Sequence, residues 1–237
     1  MSLAAIRILL GPALLWQGAR VRRDILRLPE AAGARDGQIG QGPPLSILLL
    51  GDSSIAGVGA ASQDEALAGR LTERLRTEYT VTWKVVGMTG WTTRDGHDAL
   101  AALSDSQFDV VVLSLGVNDV TTETGLNNWL QLYRDLLDHI RQNQRPKLII
   151  VNGFPPMGRF PALPQPLRWY LGQQAVAHER ELFKLLADDP GIVTLPLVFD
   201  LDVSAMAPDG FHPGPPVYDA WAEDVATLIL QSLPKAP

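Results

Sequence analysis

The chain has 237 residues, 46% of them hydrophobic and 19% charged. That balance suits one large domain with a substantial core and excludes bulk disorder or a multi-span membrane protein. A formal charge of −6 excludes a general nucleic-acid surface, and the lack of cysteine excludes disulfides, thiolate metal sites and a Cys nucleophile.

The charge is uneven along the chain. Residues 1–44 hold six Arg against three acidic residues, a net +3, so the remainder carries −9. The first segment is apolar ("LAAIRILLGPALLW"), then basic ("ARVRRDILR"), then rich in small residues ("EAAGARDGQIGQGPP"). It reads as an arm and linker, 1–44, with the domain boundary near Pro43-Pro44 and the body over 45–237. The basic cluster follows the apolar stretch, and Arg7 lies inside it. That order is wrong for a secretory signal, so a cytoplasmic or membrane-peripheral placement fits better than secretion. The stretch is too short for a comfortable span, and Gly11-Pro12 interrupts it. Two readings follow: peripheral membrane contact through residues 1–27, with Arg20, Arg22 and Arg23 near anionic headgroups, or packing against the body.

From Leu45 onward, short apolar runs alternate with amphipathic segments. The runs "LSILLL" (45–50), "VTWKVV" (81–86), "VVVLSL" (110–115), "KLIIVN" (147–152) and "IVTL" (192–195) are β-branched and mostly continuous, as in strands buried on both faces of a parallel sheet. Ser62 with Glu65 predicts a capping box for a helix running to about Tyr79. Thr93 predicts the cap of a second helix reaching Leu103. Residues 127–142 place Trp129, Leu132, Leu136, Leu137 and Ile140 on one helical face. Two more helices are predicted over 168–188 and 217–233. Five βα units in succession predict an α/β fold: a three-layer, doubly wound sheet of about five parallel strands. In such sheets ligands bind beyond the carboxyl ends of the strands. The chemistry is therefore sought in the loops starting at Gly51, Gly87, Gly116, Gly153 and Pro196.

The first loop, "GDSSIAGVG", matches neither phosphate-binding glycine motif nor the G-x-S-x-G elbow. It leaves Ser53 just past a strand end among small residues. The alternative is an ordinary turn in which Asp52 bonds its own backbone. A serine nucleophile needs a base. His97, His139 and His178 fall inside predicted helices, whereas His212 lies in "APDGFHPGPP", three residues after Asp209. In a tight turn that spacing lets the carboxylate accept from imidazole Nδ1–H and leaves Nε2 free to take a proton. A surface histidine in a turn is the alternative. Gly90 in "GMTGWTT" and Asn118 in "SLGVNDV" are candidate oxyanion donors, a backbone N–H and a side-chain amide, with ordinary turns as the alternative for both. Asp119 reads as a loop brace. Trp91, Phe154, Met157, Phe160 and Trp169 are candidates for an acyl pocket, or for covering the sheet.

With these residues in place, the sequence resembles the SGNH/GDSL hydrolase family. "GDSS" matches its first block, "GMTGWTT" its second, "LGVND" the G-x-N-D block and "DGFHP" the D-x-x-H-P block, in that order and over about 45–233. Ser54 stands where the family often has Leu. The resemblance implies a flavodoxin-like sheet and a serine ester hydrolase. Ser53, His212 and Asp209 would form its catalytic triad, and Ser53, Gly90 and Asn118 its oxyanion hole. It implies no metal or cofactor and a small-molecule acyl ester as substrate, with Gly87 second to Gly90 at the oxyanion; the apolar fourth loop favours short- to medium-chain esters or lysolipids over sugar acetates. Thioesterase or carbohydrate deacetylase activity, or a non-catalytic carbohydrate- or partner-binding role, are the alternatives on the same scaffold.

Overall fold

Two periodicities organise the molecule: side chains alternate across a strand and recur every 3.6 residues along a helix. In the computed structural model, residues 3–103, 106–122, 124–198 and 203–233 are described. The chain opens with α1 (Leu3–Asp24), β1 (Asp36–Ile39) and β2 (Pro44–Gly51), followed by α2 (Leu67–Leu75) and β3 (Thr80–Gly87). Next come α3 (Thr93–Ala99), β4 (Val110–Ser114), α4 (Val117–Thr121) and α5 (Leu126–Asn143). The last elements are β5 (Leu148–Asn152), α6 (Leu167–Leu186), β6 (Ile192–Leu195) and α7 (Pro215–Ser232).

The strands form one sheet in the order β1-β3-β2-β4-β5-β6. β2 to β6 are mutually parallel, and β1 runs antiparallel on β3. Alternate residues of the continuous runs serve opposite layers. Leu48, Leu50, Val111, Leu113, Ile149 and Val151 face α5 and α6 through Trp129, Tyr133, Leu136 and Leu182. Ile47, Leu49, Val110, Val112, Leu148 and Ile150 face α2 and α7 through Leu67, Leu71, Trp221 and Val225. A strand apolar on both sides is thus satisfied by helices on both sides, which gives the three layers. The chain leaves β2 toward β3 and then crosses to β4 on the other side. The switch point therefore opens between the carboxyl ends of β2 and β4.

Four expectations are corrected. The boundary near Pro43-Pro44 falls inside the sheet, because residues 36–39, assigned above to the arm, form β1. Its "DGQI" carries no apolar run, since an edge strand is only half covered. It is held by Arg35, whose guanidinium donates to Gly87 O (2.8 Å) and pairs with Glu30, which in turn accepts from Thr89 N–H (2.7 Å) and Oγ1 (2.9 Å). α1 continues through Gly11-Pro12, with Leu14 buried and Gln17 bonded to Gln165 O (2.7 Å) and Leu167 N–H (3.0 Å). α2 starts at Leu67 and stops at Leu75, without the Ser62/Glu65 box. Glu65 accepts from Ala61 N–H instead (3.2 Å), and Gln63 is buried bonding Ala31 and Ala56 carbonyls. The cap of α3 is Thr92 rather than Thr93, in a capping box with Asp95, and a 3-10 turn carries the chain on to Leu103.

α7 is tied to the sheet by a buried polar relay. Trp221 Nε1–H donates to Asn152 Oδ1 (2.8 Å), and Asn152 Nδ2–H donates to Leu113 O (2.8 Å). Replacing Trp221 by Phe strands the Asn152 oxygen. It is expected to cost about 1–3 kcal/mol, read as a lower urea midpoint with an unchanged denaturant slope.

Candidate active site

The first loop leaves β2 at Gly51 and turns at once. A Cβ at Gly51 would meet Ile55 Cγ1 at 2.3 Å and Ser114 O at 2.5 Å, so only glycine fits. Successive turn bonds, Ala56 N–H to Asp52 O (2.9 Å) and Val58 N–H to Ser53 O (2.9 Å), coil residues 52–58. The Tyr218 hydroxyl from α7 lies against both ends of the coil, 3.0 Å from Ser54 O and 2.8 Å from Val58 O. The turn that the sequence reading weighed against a catalytic role is present too: Asp52 Oδ1 accepts from Ser54 N–H (3.0 Å) and Oγ–H (2.8 Å). This turn fixes the backbone on either side of Ser53.

The opposing loop lies between β6 and α7. Asp209 Oδ1 accepts the backbone N–H of Phe211 and of His212, each at 3.0 Å. Gly210, at φ +65°, turns the chain between them. Ala207 N–H closes the loop on His212 O (3.0 Å), and Met206 bridges Pro213. Asp209 Oδ2 is left free to meet His212 Nδ1 at 2.5 Å. That contact places the ring proton on Nδ1 and makes Nε2 an acceptor. Nε2 lies 2.9 Å from Ser53 Oγ, across 159 residues of sequence. The two loops touch main chain to main chain: Gly59, at φ +99°, packs so closely that a Cβ there would lie 2.1 Å from Pro213 O.

Burial is graded along this relay. The Asp209 side chain is 1% exposed and that of His212 17%. Burial raises the Asp209 carboxyl, but hydrogen bonds from the His212 ring and from the His212 and Phe211 backbone outweigh it and hold the group below the usual carboxylate range. Asp209 therefore stays ionised and fixes the imidazole tautomer. Asp52 goes the other way: burial pushes its carboxyl up despite the bonds from Ser54.

Asn118 sits at the start of α4. One hydrogen of its amide is held by Trp91 O (2.9 Å), which orients the group and leaves the second hydrogen for another acceptor. Gly90 precedes Trp91, adopts φ +87° and has nothing within 4 Å of where a Cβ would stand. These two candidates are thus linked through Trp91, and neither lines the cleft that adjoins Ser53. Asp119 is the brace read from the sequence. It accepts from Thr93 N–H (2.9 Å) and Oγ1–H (3.0 Å), and the same Oγ1 receives Trp129 Nε1–H (2.9 Å). Gly87 ends β3, buried against Gly51 O.

A cleft of about 60 Å³ adjoins Ser53 and His212, walled by Phe160, Phe211, Met206, Val117, Leu197 and Trp221. Of the five residues proposed for an acyl pocket, it contains only Phe160. Phe154, Met157 and Trp169 line a separate groove of about 450 Å³ that shares Pro155 and Leu197 with the cleft. Phe154 and Met157 are themselves buried in the core, Phe154 edge-on to Trp129. Trp91 contributes its carbonyl to Asn118. Phe211 and Met206 escaped the sequence reading, although Phe211 directly precedes His212 within "DGFHP". Among the described residues, no cluster of three or more His, Asp or Glu is placed to hold a metal ion.

The Asp52 carboxyl, raised in the fold, favours folding only while it is protonated. Its contribution is present at acid pH and lost as pH rises through the raised value. Asp52→Asn keeps an oxygen for Ser54 and removes the charge. It should raise Tm relative to the parent more at neutral pH than below the ordinary carboxylate range, as measured by melting at both pH values.

Known proteins share this sequence pattern and fold. The model of the GDSL-like lipase/acylhydrolase family matches residues 49–220. A GDSL-like esterase of Mycobacterium tuberculosis is 28% identical over 202 residues, 78% of this chain. The chain spans about three fifths (61%) of that relative's length. The crystal structure of the lipase Lip_vut3 from a goat rumen metagenome superposes with a TM-score of 0.64 at 18% identity, covering 77% of this chain and 96% of that one. A family 3 carbohydrate esterase of Clostridium thermocellum superposes at 0.58 with 19% identity, covering 80% and 100%. At these identities the superpositions establish the fold, and the family match spans well over half of the chain. With its serine, histidine and aspartate joined at the end of a doubly wound sheet, the chain belongs to the GDSL-like lipase/acylhydrolase family.

Proposed function

We propose that the protein is a serine ester hydrolase that works through an acyl-enzyme on Ser53. The observation that carries this reading is the continuous relay Ser53 Oγ–His212 Nε2 (2.9 Å) and His212 Nδ1–Asp209 Oδ2 (2.5 Å). Ser53 Oγ attacks the acyl carbonyl as His212 Nε2 takes its proton, and Asp209 stabilises the imidazolium. Backbone N–H groups of Ser53 and Gly90 and the Asn118 amide hold the oxyanion. His212 then protonates the leaving alcohol. Water, deprotonated by the same ring, attacks the acyl-enzyme, and the acid departs as Ser53 regains its proton.

The cleft size bears on the substrate. A water molecule needs roughly 10–15 Å³ of such space, so about 60 Å³ takes an acyl group of a few heavy atoms. The alcohol portion then extends into the larger groove past Pro155 and Leu197. A second reading is hydrolysis of sugar acetates. It is favoured by the groove's mix of a half-exposed Trp169 with Gln165, Gln173 and Glu179, a lining suited to sugar hydroxyls.

Ser53→Ala should leave a folded protein without turnover of p-nitrophenyl acetate or butyrate; full activity in that variant would discard the assignment. Asn118→Ala is expected to lower kcat by about 10²–10³ with little change in KM. In a panel of p-nitrophenyl esters, thioesters and acetylated glycans, acetate and butyrate should outpace octanoate, and a preference for glycan acetates would select the second reading.

A further inference from the structure

We propose that the outer face of α1 docks on an anionic membrane surface. Among the described residues, five of the nine exposed large hydrophobic side chains fall on one short stretch, Ile8 (83% exposed), Leu9 (70%), Leu15 (65%), Trp16 (62%) and Leu26 (55%), while Met88, Trp169, Val176 and Val198 lie apart from it along the chain. Their exposure follows from how the helix is seated. Ile6, Leu10 and Val21 pack on the core, Leu14 is buried, and Gln17 is bonded at both its amide oxygen and nitrogen to the segment entering α6. These positions recur at helical spacing and fix the rotation of α1. At 100° per residue, Ile8, Leu15 and Trp16 then project from the opposite side. The helix is apolar on two faces, and only one has the protein to cover it.

Charge identifies the occupant. The last turns of α1 and the residues after them carry Arg20, Arg22, Arg23 and Arg27, with Asp24 pairing to Arg20 (3.4 Å) and Arg23 (2.7 Å). The Arg20 guanidinium lies 5.6 Å from the Trp16 ring centre, an aromatic body beside a cationic head as at a lipid interface. Residues 1–44 are net positive by three and the remainder net negative by nine, so the attraction to anionic headgroups resides in this segment. No described helix is long and apolar enough to cross a membrane, so α1 would lie along the surface. The docked face adjoins the site: a groove of about 610 Å³ beside Trp16 and Leu26 is closed by Pro161, Pro164, Pro208 and Asp209, and Phe160, next along the chain, walls the Ser53 cleft.

Co-sedimentation of the full chain with phosphatidylcholine vesicles, with and without phosphatidylglycerol, tests this. The protein should pellet with the anionic vesicles and be released by high salt. Leu15→Glu with Trp16→Glu should abolish pelleting, and Arg22→Ala with Arg23→Ala should weaken it by about fivefold for each arginine. Thermal melting checks that the variants fold, so the result does not depend on the esterase reading. A chain left in the supernatant with both vesicle types overturns the proposal, as does equal binding to neutral vesicles. A dimer in size-exclusion chromatography that Leu15→Glu with Trp16→Glu converts to monomer, without vesicle binding, assigns the face to a second copy and also overturns it.

Discussion

The hydrogen bond between Ser53 Oγ and His212 Nε2 joins two loops that 159 residues of sequence separate. Most of the architecture is needed to hold that length. The serine leaves the central strand β2 at a glycine that tolerates no side chain. The histidine is delivered by a loop whose backbone amides are collected on one carboxylate oxygen, leaving the other to orient the ring. Tyr218 and Trp221, both on α7, then tie the helix that follows the histidine back to the serine coil and to β5. Ser53 and His212 are therefore positioned by the same helix.

The two carboxylates flanking this bond are tuned in opposite directions by the balance of burial and donors. Asp209 gathers the imidazole and two amides, enough to overcome its burial. Asp52, also secluded, receives the Ser54 amide and hydroxyl, and burial prevails. Neighbouring acids thus divide the labour, one as a fixed charge for the ring and one as a turn-former beside Ser53.

The sheet and the residues that meet in the Ser53–His212–Asp209 relay were legible in the sequence for a shared reason. Strands covered on both faces show as unbroken apolar runs, and loops beyond their ends hold small or polar residues that have no core role. β1 was not legible, because an edge strand covered on one side needs no apolar run and "DGQI" looks like a linker. The cap of α3 was missed by one residue: Thr92 and Thr93 are the same type, and only Asp95 at the matching spacing distinguishes them. The lining of the cleft was least legible. Phe154 and Phe160 lie in one Pro-rich loop, yet Phe154 turns into the core beside Trp129 while Phe160 meets Phe211 at the cleft. Composition marks a loop as apolar but cannot say which ring turns inward.

The backbone contact of Gly59 with Pro213 has a consequence for remodelling the cleft. Since the serine and histidine loops abut through their main chains, the reach between them does not depend on which side chains wall the space above. Phe160, Met206 and Phe211 can then drift or be exchanged to reshape the cleft while the Ser53–His212 contact keeps its alignment. A single added methyl at position 59 would pry the two loops apart.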